Sequence, residues 1–276
     1  MVHFKTLLLK AYRRATHPFR RSPDIFILGF QKCGTTSLYR YLENSGAVPK
    51  GIHKENNVLA HTPRGLLAFM SFYPVSWKVG RNQKIACGSH LMGSSPHALD
   101  VMTRYFPNAQ VLFILRNPAD RAISRYLDNQ RKPVKEDNDD HKFKRTMLEQ
   151  IEYEMTHVLT DHDLSVSELY DLDTKETKFG GLLAKGHYHV FIKQFVTFNP
   201  KVVFLEELSN DFKSQFSDVM NHLEIDSFEM PKSEIFNASK NESLHLTERG
   251  LLNEYYSVSN KKLEELLGKK LPSSWY

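Results

Sequence analysis

Three short stretches, Ile25 to Leu28, Val111 to Leu115 and Val202 to Leu205, are apolar without a break, and each is followed by a turn and a helical pattern. Continuous rather than alternating apolarity belongs to strands covered on both faces, which is how parallel sheets are buried. Lys84 to Cys87 is a weaker fourth candidate. Helical spacing runs through Leu99, Met102 and Phe106; Leu148, Ile151, Met155 and Val158; Phe191, Phe195 and Phe198; Phe212, Phe216, Val219 and Leu223; and Leu263, Leu266 and Leu267. These stripes predict core-facing helices with no chemistry on them. Strands alternating with helices specify an α/β fold, a doubly wound parallel sheet flanked by helices.

About 250 residues still share one core, so the 276-residue chain is expected to form a single domain over residues 22–276, preceded by a basic tail over residues 1–21. The tail has only Leu7, Leu8 and Leu9 as an apolar block, too short for a signal peptide, and no stretch approaches the roughly 20 apolar residues of a membrane helix. With Cys33 and Cys87 the only cysteines, no disulfide framework is expected and the cytoplasm is the expected compartment. Two glycosylation triplets, at Asn237 and Asn241, point the other way, but such triplets arise often by chance. A net charge of +5 suits a polyanionic ligand and falls short of a nucleic-acid-binding stripe. The stretch from Asp128 to Arg145 mixes many charges with one aromatic ring and reads as a mobile loop.

Chemistry enters directly after the first apolar run, in Gly29-Phe-Gln-Lys32-Cys33-Gly34-Thr35-Thr36-Ser37. A strand, a glycine turn and a helix start form an anion cradle, with unpaired backbone N–H groups and a favourable dipole. Three hydroxyls and the Lys32 ammonium add to it, more than simple helix capping requires. The spacing is not that of a Walker A loop, because Thr35 follows Gly34 where a lysine is needed. A phosphate-loop ATPase would also end its next buried strand in a magnesium-binding aspartate, whereas Val111–Leu115 ends in Arg116. A cation there suits direct contact with phosphate and chemistry without a metal. A small-molecule kinase of the phosphate-loop type is therefore a runner-up only. A non-enzymatic module binding anionic polymers or membranes through Lys10, Arg13, Arg14, Arg20 and Arg21 is the second alternative.

In these motifs the chain resembles the sulfotransferases that use 3′-phosphoadenosine 5′-phosphosulfate (PAPS), over about Ile25 to Trp275. FILGFQKCGTTSLYRYL is similar to that family's 5′-phosphosulfate loop, and VLFILRNPADRAISRYLDNQR to its 3′-phosphate motif. The resemblance implies a phosphate-loop-type sheet, PAPS as co-substrate and a hydroxyl or amine acceptor. It implies PAPS contacts from Lys32, Cys33, Gly34, Thr35, Thr36 and Ser37, with Cys33 a small filler rather than a nucleophile. Arg116 and Ser124 would grip the 3′-phosphate, and Lys240 would be a third phosphate contact.

Softer likenesses favour the carbohydrate and bacterial branch: Lys54-Glu55, Gly93-Ser94-Ser95-Pro96 and VVFLEEL. Ser94 departs from it, since lysine is frequent at that position. Lys32 is the expected catalytic cation at the leaving oxygen. Two residues compete as the acceptor's general base: Glu55, favoured by analogy with the carbohydrate branch, and His90, which follows a strand candidate as in the phenol-type branch.

Overall fold

The structure is a computed structural model that describes residues 12, 15–50, 54–61, 65–131, 143–158, 165–176, 181–233 and 245–276. All three apolar runs and the weaker fourth become strands: β1 (Ile25–Gly29), β2 (Ala86–Ser89), β3 (Gln110–Leu115) and β4 (Lys201–Phe204). They form one parallel sheet in the order β2-β1-β3-β4. β2 starts two residues later than the candidate stretch Lys84 to Cys87, because the Asp24 carboxylate takes the backbone N–H of Ile85 at 2.7 Å. β4 ends one residue early, because Leu205 opens a helix, Leu205–Asn210.

The period of two along each strand builds two cores. Phe26, Leu28, Val111, Phe113 and Leu115 face one cluster, into which the helices Pro96–Tyr105, Pro118–Arg131, Tyr188–Lys193 and Leu246–Leu267 pack. Ile25, Ile27, Leu112 and Ile114 face the other, closed by the helices Thr35–Asn44 and Phe212–His222. Both faces being covered explains why the strands read as unbroken apolar runs. Phe113 is fully buried, with ring centroids 5.3 Å from Phe195 and 6.3 Å from Phe30. Phe113→Ala should lose about 3–5 kcal/mol, read as a lowered urea midpoint at unchanged slope.

Two stripes depart from regular helix. Leu148–Val158 is helical only over Met147–Tyr153 and then widens into a π turn at Glu154–Val158. Ile151 and Met155 of this stripe pack into the core as expected, and beside them the buried Glu154 carboxylate accepts hydrogen bonds from the backbone N–H groups of Leu182 and Leu183. The Phe191–Phe198 stripe breaks into the helix Tyr188–Lys193 and a 3₁₀ turn, Val196–Phe198. The charged stretch from Asp128 begins inside a helix that continues to Arg131, while residues 132–142 lie outside the described residues.

β1 and β3 are neighbours, yet the helix after β1 lies on one face of the sheet and the helix after β3 on the other. The crevice at their carboxyl ends is the switch point where open α/β sheets bind ligands.

Candidate active site

After Gly29 the chain turns twice through the left-handed region, at Lys32 (φ 72°) and Gly34 (φ 95°). For Lys32 this conformation costs on the order of 1–3 kcal/mol, a strain that folds retain mainly at functional positions. Gly34 is required, because its φ is strained for any side chain and a Cβ would press on Leu205 and Ile114 at 3.0 and 3.3 Å. Alternating hands in a short turn aim successive N–H groups into one concavity. The helix then starts at Thr35 with no side-chain cap. Its hydroxyls are engaged elsewhere: Lys54 Nζ donates to Thr36 Oγ1 at 2.9 Å and to Thr35 Oγ1 at 3.4 Å.

Lys54 gets there because its segment lies along the outer edge of β2. Gly88 N donates to Lys54 O at 3.0 Å, and Glu55 forms a parallel bridge with Gly88. Gly88 leaves the space through which the lysine side chain passes, since a Cβ there would sit 2.9 Å from Lys54 Cε. Burial pushes the Lys54 ammonium below its ordinary range, and the neighbouring Glu55 opposes this.

The two competing bases are brought together. Glu55 Oε1 lies 3.1 Å from His90 Nδ1 and 3.2 Å from Lys54 Nζ. The hydrogen bond from His90 and the charge of Lys54, against the opposing effect of burial, hold the Glu55 carboxyl at about 2. An ionised carboxylate only accepts, so Nδ1 of His90 is the donor and, in the neutral ring, Nε2 carries the lone pair. His90 is placed by a tight turn beyond β2, in which Ser89 Oγ accepts from the N–H groups of Leu91 and Met92 and donates to Asn57 Oδ1.

At the end of β3, Arg116 is framed from both sides. Tyr188 Oη donates to its carbonyl at 2.8 Å, and the next N–H, of Asn117, donates to Glu206 Oε1 at 2.7 Å. Asn117 Oδ1 receives the N–H of Ala119 at the start of the following helix, on which Ser124 lies buried. Tyr188 also meets Cys33 Sγ at 3.5 Å and so ties the first loop to the second. Burial raises the Cys33 thiol, whose side chain is fully enclosed in the core. On the same helix as Ser124, Asp128 pairs with Lys32 at 3.2 Å.

Lys240 lies outside the described residues. Ser94 and Ser95, in the segment likened to the carbohydrate branch, are buried and structural: Ser94 Oγ donates to Leu91 O, while Ser95 Oγ donates to Ala60 O and caps the Pro96–Tyr105 helix. Sequence reasoning missed Tyr188, Asn117, Glu206 and a small cleft lined by Ser37, Tyr41, Leu205, Leu208, Ser209 and Ser233. The Glu-x-Leu after β4 was a usable signal for Glu206. Among the described residues no cluster of three or more His, Cys, Asp or Glu side chains is arranged to hold a metal, and no helix is long and apolar enough to cross a membrane.

No protein of curated function matches the chain by sequence. Among solved structures it is similar to a sulfotransferase from Alicyclobacillus acidocaldarius, with 22% identity, a TM-score of 0.64, and coverage of 92% of this chain and 99% of that one. A weaker likeness, at 15% identity and a TM-score of 0.42, is to mouse sulfotransferase SULT7A1 complexed with PAP, over 91% of this chain and 70% of that one. The sulfotransferase domain family model matches residues 22–266, from ahead of β1 to the last turn of the Leu246–Leu267 helix. The chain therefore belongs to the sulfotransferase domain family.

Proposed function

We propose that the protein transfers a sulfuryl group from PAPS to a hydroxyl or amine acceptor, with Glu55 and His90 acting as one unit. The observation that carries this reading is the chain of contacts Thr36–Lys54–Glu55–His90, which tethers an acid–base pair to an anion-binding loop. PAPS supplies an activated sulfuryl group whose departure leaves negative charge on a phosphate oxygen. Lys32, the N–H groups of the turn and the hydroxyls of Thr35, Thr36 and Ser37 form a cationic, donor-rich cradle for the 5′ end. Arg116 and Ser124 take the 3′-phosphate, with Arg116 held in place by Tyr188 and Glu206. Cys33 contributes only its backbone and its bulk.

His90 is the proton acceptor in this reading and Glu55 its positioning residue. A carboxylate held at about 2 is a weak base and poorly matched to the task of a general base near neutral pH. Glu55 fixes the tautomer that presents Nε2 to the acceptor. Two buried free thiols suit a reducing compartment, and we assign the protein to the cytoplasm on that ground.

The test is cofactor identity. A ligand that binds only the folded state raises the melting temperature by mass action, so 3′-phosphoadenosine 5′-phosphate at 100 times its Kd should add about 2.7 kcal/mol. ATP at the same concentration should add far less. Equal shifts from the two, or turnover that depends on magnesium, would overturn the reading in favour of a kinase.

A further inference from the structure

Charge is unevenly distributed along this chain. Residues 1–23 and 56–99 contain ten Lys and Arg and no Asp or Glu, so the remainder of a +5 molecule carries a net −5. The fold stitches these two acid-free segments together. Arg20 bridges Val75 in antiparallel fashion, Arg21 N donates to Pro74 O at 3.0 Å, and Ser76 Oγ donates to Phe19 O at 2.8 Å.

At this seam two rings stand in solvent. Phe19 is 56% exposed and Trp77 is 66% exposed, and they contact each other with centroids 5.8 Å apart. Lys78 and Arg81 beside them are exposed as well. Arg21 is partly neutralised by Asp24, at 3.2 Å. The seam joins the sheet ahead of the first residue of β1, whereas the phosphate loop lies past its last.

We infer that this seam is a docking face for an anionic lipid surface. Exposed cations alone would suit any polyanion. The paired Phe and Trp rings discriminate, because such rings gain free energy in the headgroup region of a bilayer while flanking Lys and Arg reach the phosphates. Each cation close to an anionic leaflet adds about 1 kcal/mol of attraction, and a single apolar patch without such cations binds weakly and reversibly. Docked by this seam, the protein keeps the carboxyl ends of β1 and β3 away from the lipid and open to a water-borne acceptor.

The chain's tryptophans make the test direct. Trp275 is buried, so a change in emission on binding reports Trp77. The full chain is mixed with vesicles of phosphatidylcholine containing about a third phosphatidylserine, and with vesicles of phosphatidylcholine alone, then sedimented. Co-sedimentation and a blue shift are expected on the anionic vesicles only. The variant Phe19→Ser/Trp77→Ser should lose at least about tenfold in partitioning, and Lys78→Glu/Arg81→Glu at least about fivefold per residue changed. The thermal shift with 3′-phosphoadenosine 5′-phosphate, measured alongside, shows that each variant is folded and keeps this inference separate from the assignment of the active site. Absence of vesicle binding would overturn the proposal. So would binding without a blue shift that Phe19→Ser/Trp77→Ser leaves intact and heparin competes away, which would identify the face as a site for an anionic polymer.

Discussion

His90→Asn is expected to lower kcat by roughly 10²–10⁴, the range for a missing general base, while leaving the affinity for 3′-phosphoadenosine 5′-phosphate within about twofold. The asparagine amide can still donate to Glu55 from near the Nδ1 position, and the acceptor at Nε2 is lost. Glu55→Gln should cost less, about 10- to 100-fold, because the imidazole survives and loses only its fixed orientation. The double variant should be no slower than His90→Asn alone, since residues that work as one unit do not contribute additively. Steady-state rates of the three variants against acceptor concentration, beside calorimetric affinities for the nucleotide, decide the matter. A larger loss from Glu55→Gln than from His90→Asn would make Glu55 itself the base.

The same pair carries a pH expectation. Glu55 is depressed from an ordinary carboxylate value to about 2. The stability contributed by its ionised contacts with His90 and Lys54 is therefore fully present above its unfolded value, declines as pH falls below that, and is lost on passing through about 2. Glu55 titration has no part in the rate between pH 5 and 9. A kcat profile with an acid limb that persists in Glu55→Gln is the expected result.

Three of the four strands were legible in the sequence because burial on both faces leaves a clear mark, four apolar residues or more in a row; β2, whose candidate run opens on Lys84 and which ends on Ser89, was the weaker one for lack of it. The turn between β1 and the first long helix was legible because its left-handed conformation needs Gly34. What escaped were relations between distant residues. Glu55 and His90 read as rivals along the chain, since nothing in a one-dimensional pattern says that residue 55 lies beside β2. The buried polar supports escaped for the same reason. Arg121 and Arg125 look like the wet side of a helix, yet they are 0% and 1% exposed, with Arg121 donating to the carbonyl of Leu182. Glu154, whose carboxylate holds the N–H groups of Leu182 and Leu183, sits in what reads as an apolar stripe. Charged side chains are rarely buried unless paired, and sequence spacing does not reveal the partner.

Lys32 should fail in a different way from His90, because its proposed target is the donor rather than the acceptor. Removing a cation that neutralises charge on the leaving phosphate oxygen weakens the ground state and the transition state together, with the larger loss where the charge is largest. Lys32→Ala is therefore expected to weaken binding of 3′-phosphoadenosine 5′-phosphate by about 10- to 100-fold, as for a lost charge-assisted contact, and to lower kcat by roughly a further 10²-fold. Asp128 provides the control. It pairs with Lys32 at 3.2 Å across a partly exposed gap, so the nucleotide competes with it for the ammonium. A pair so exposed is worth at most about 1 kcal/mol, and Asp128→Asn should tighten nucleotide binding by no more than about fivefold. Arg116→Ala supplies the complementary result: weaker binding of PAPS, with adenosine 5′-phosphosulfate, which lacks the 3′-phosphate, nearly unaffected. A uniform loss for both ligands in Arg116→Ala, or Lys32→Ala binding the nucleotide as tightly as the parent, would remove these residues from the two phosphate contacts assigned to them.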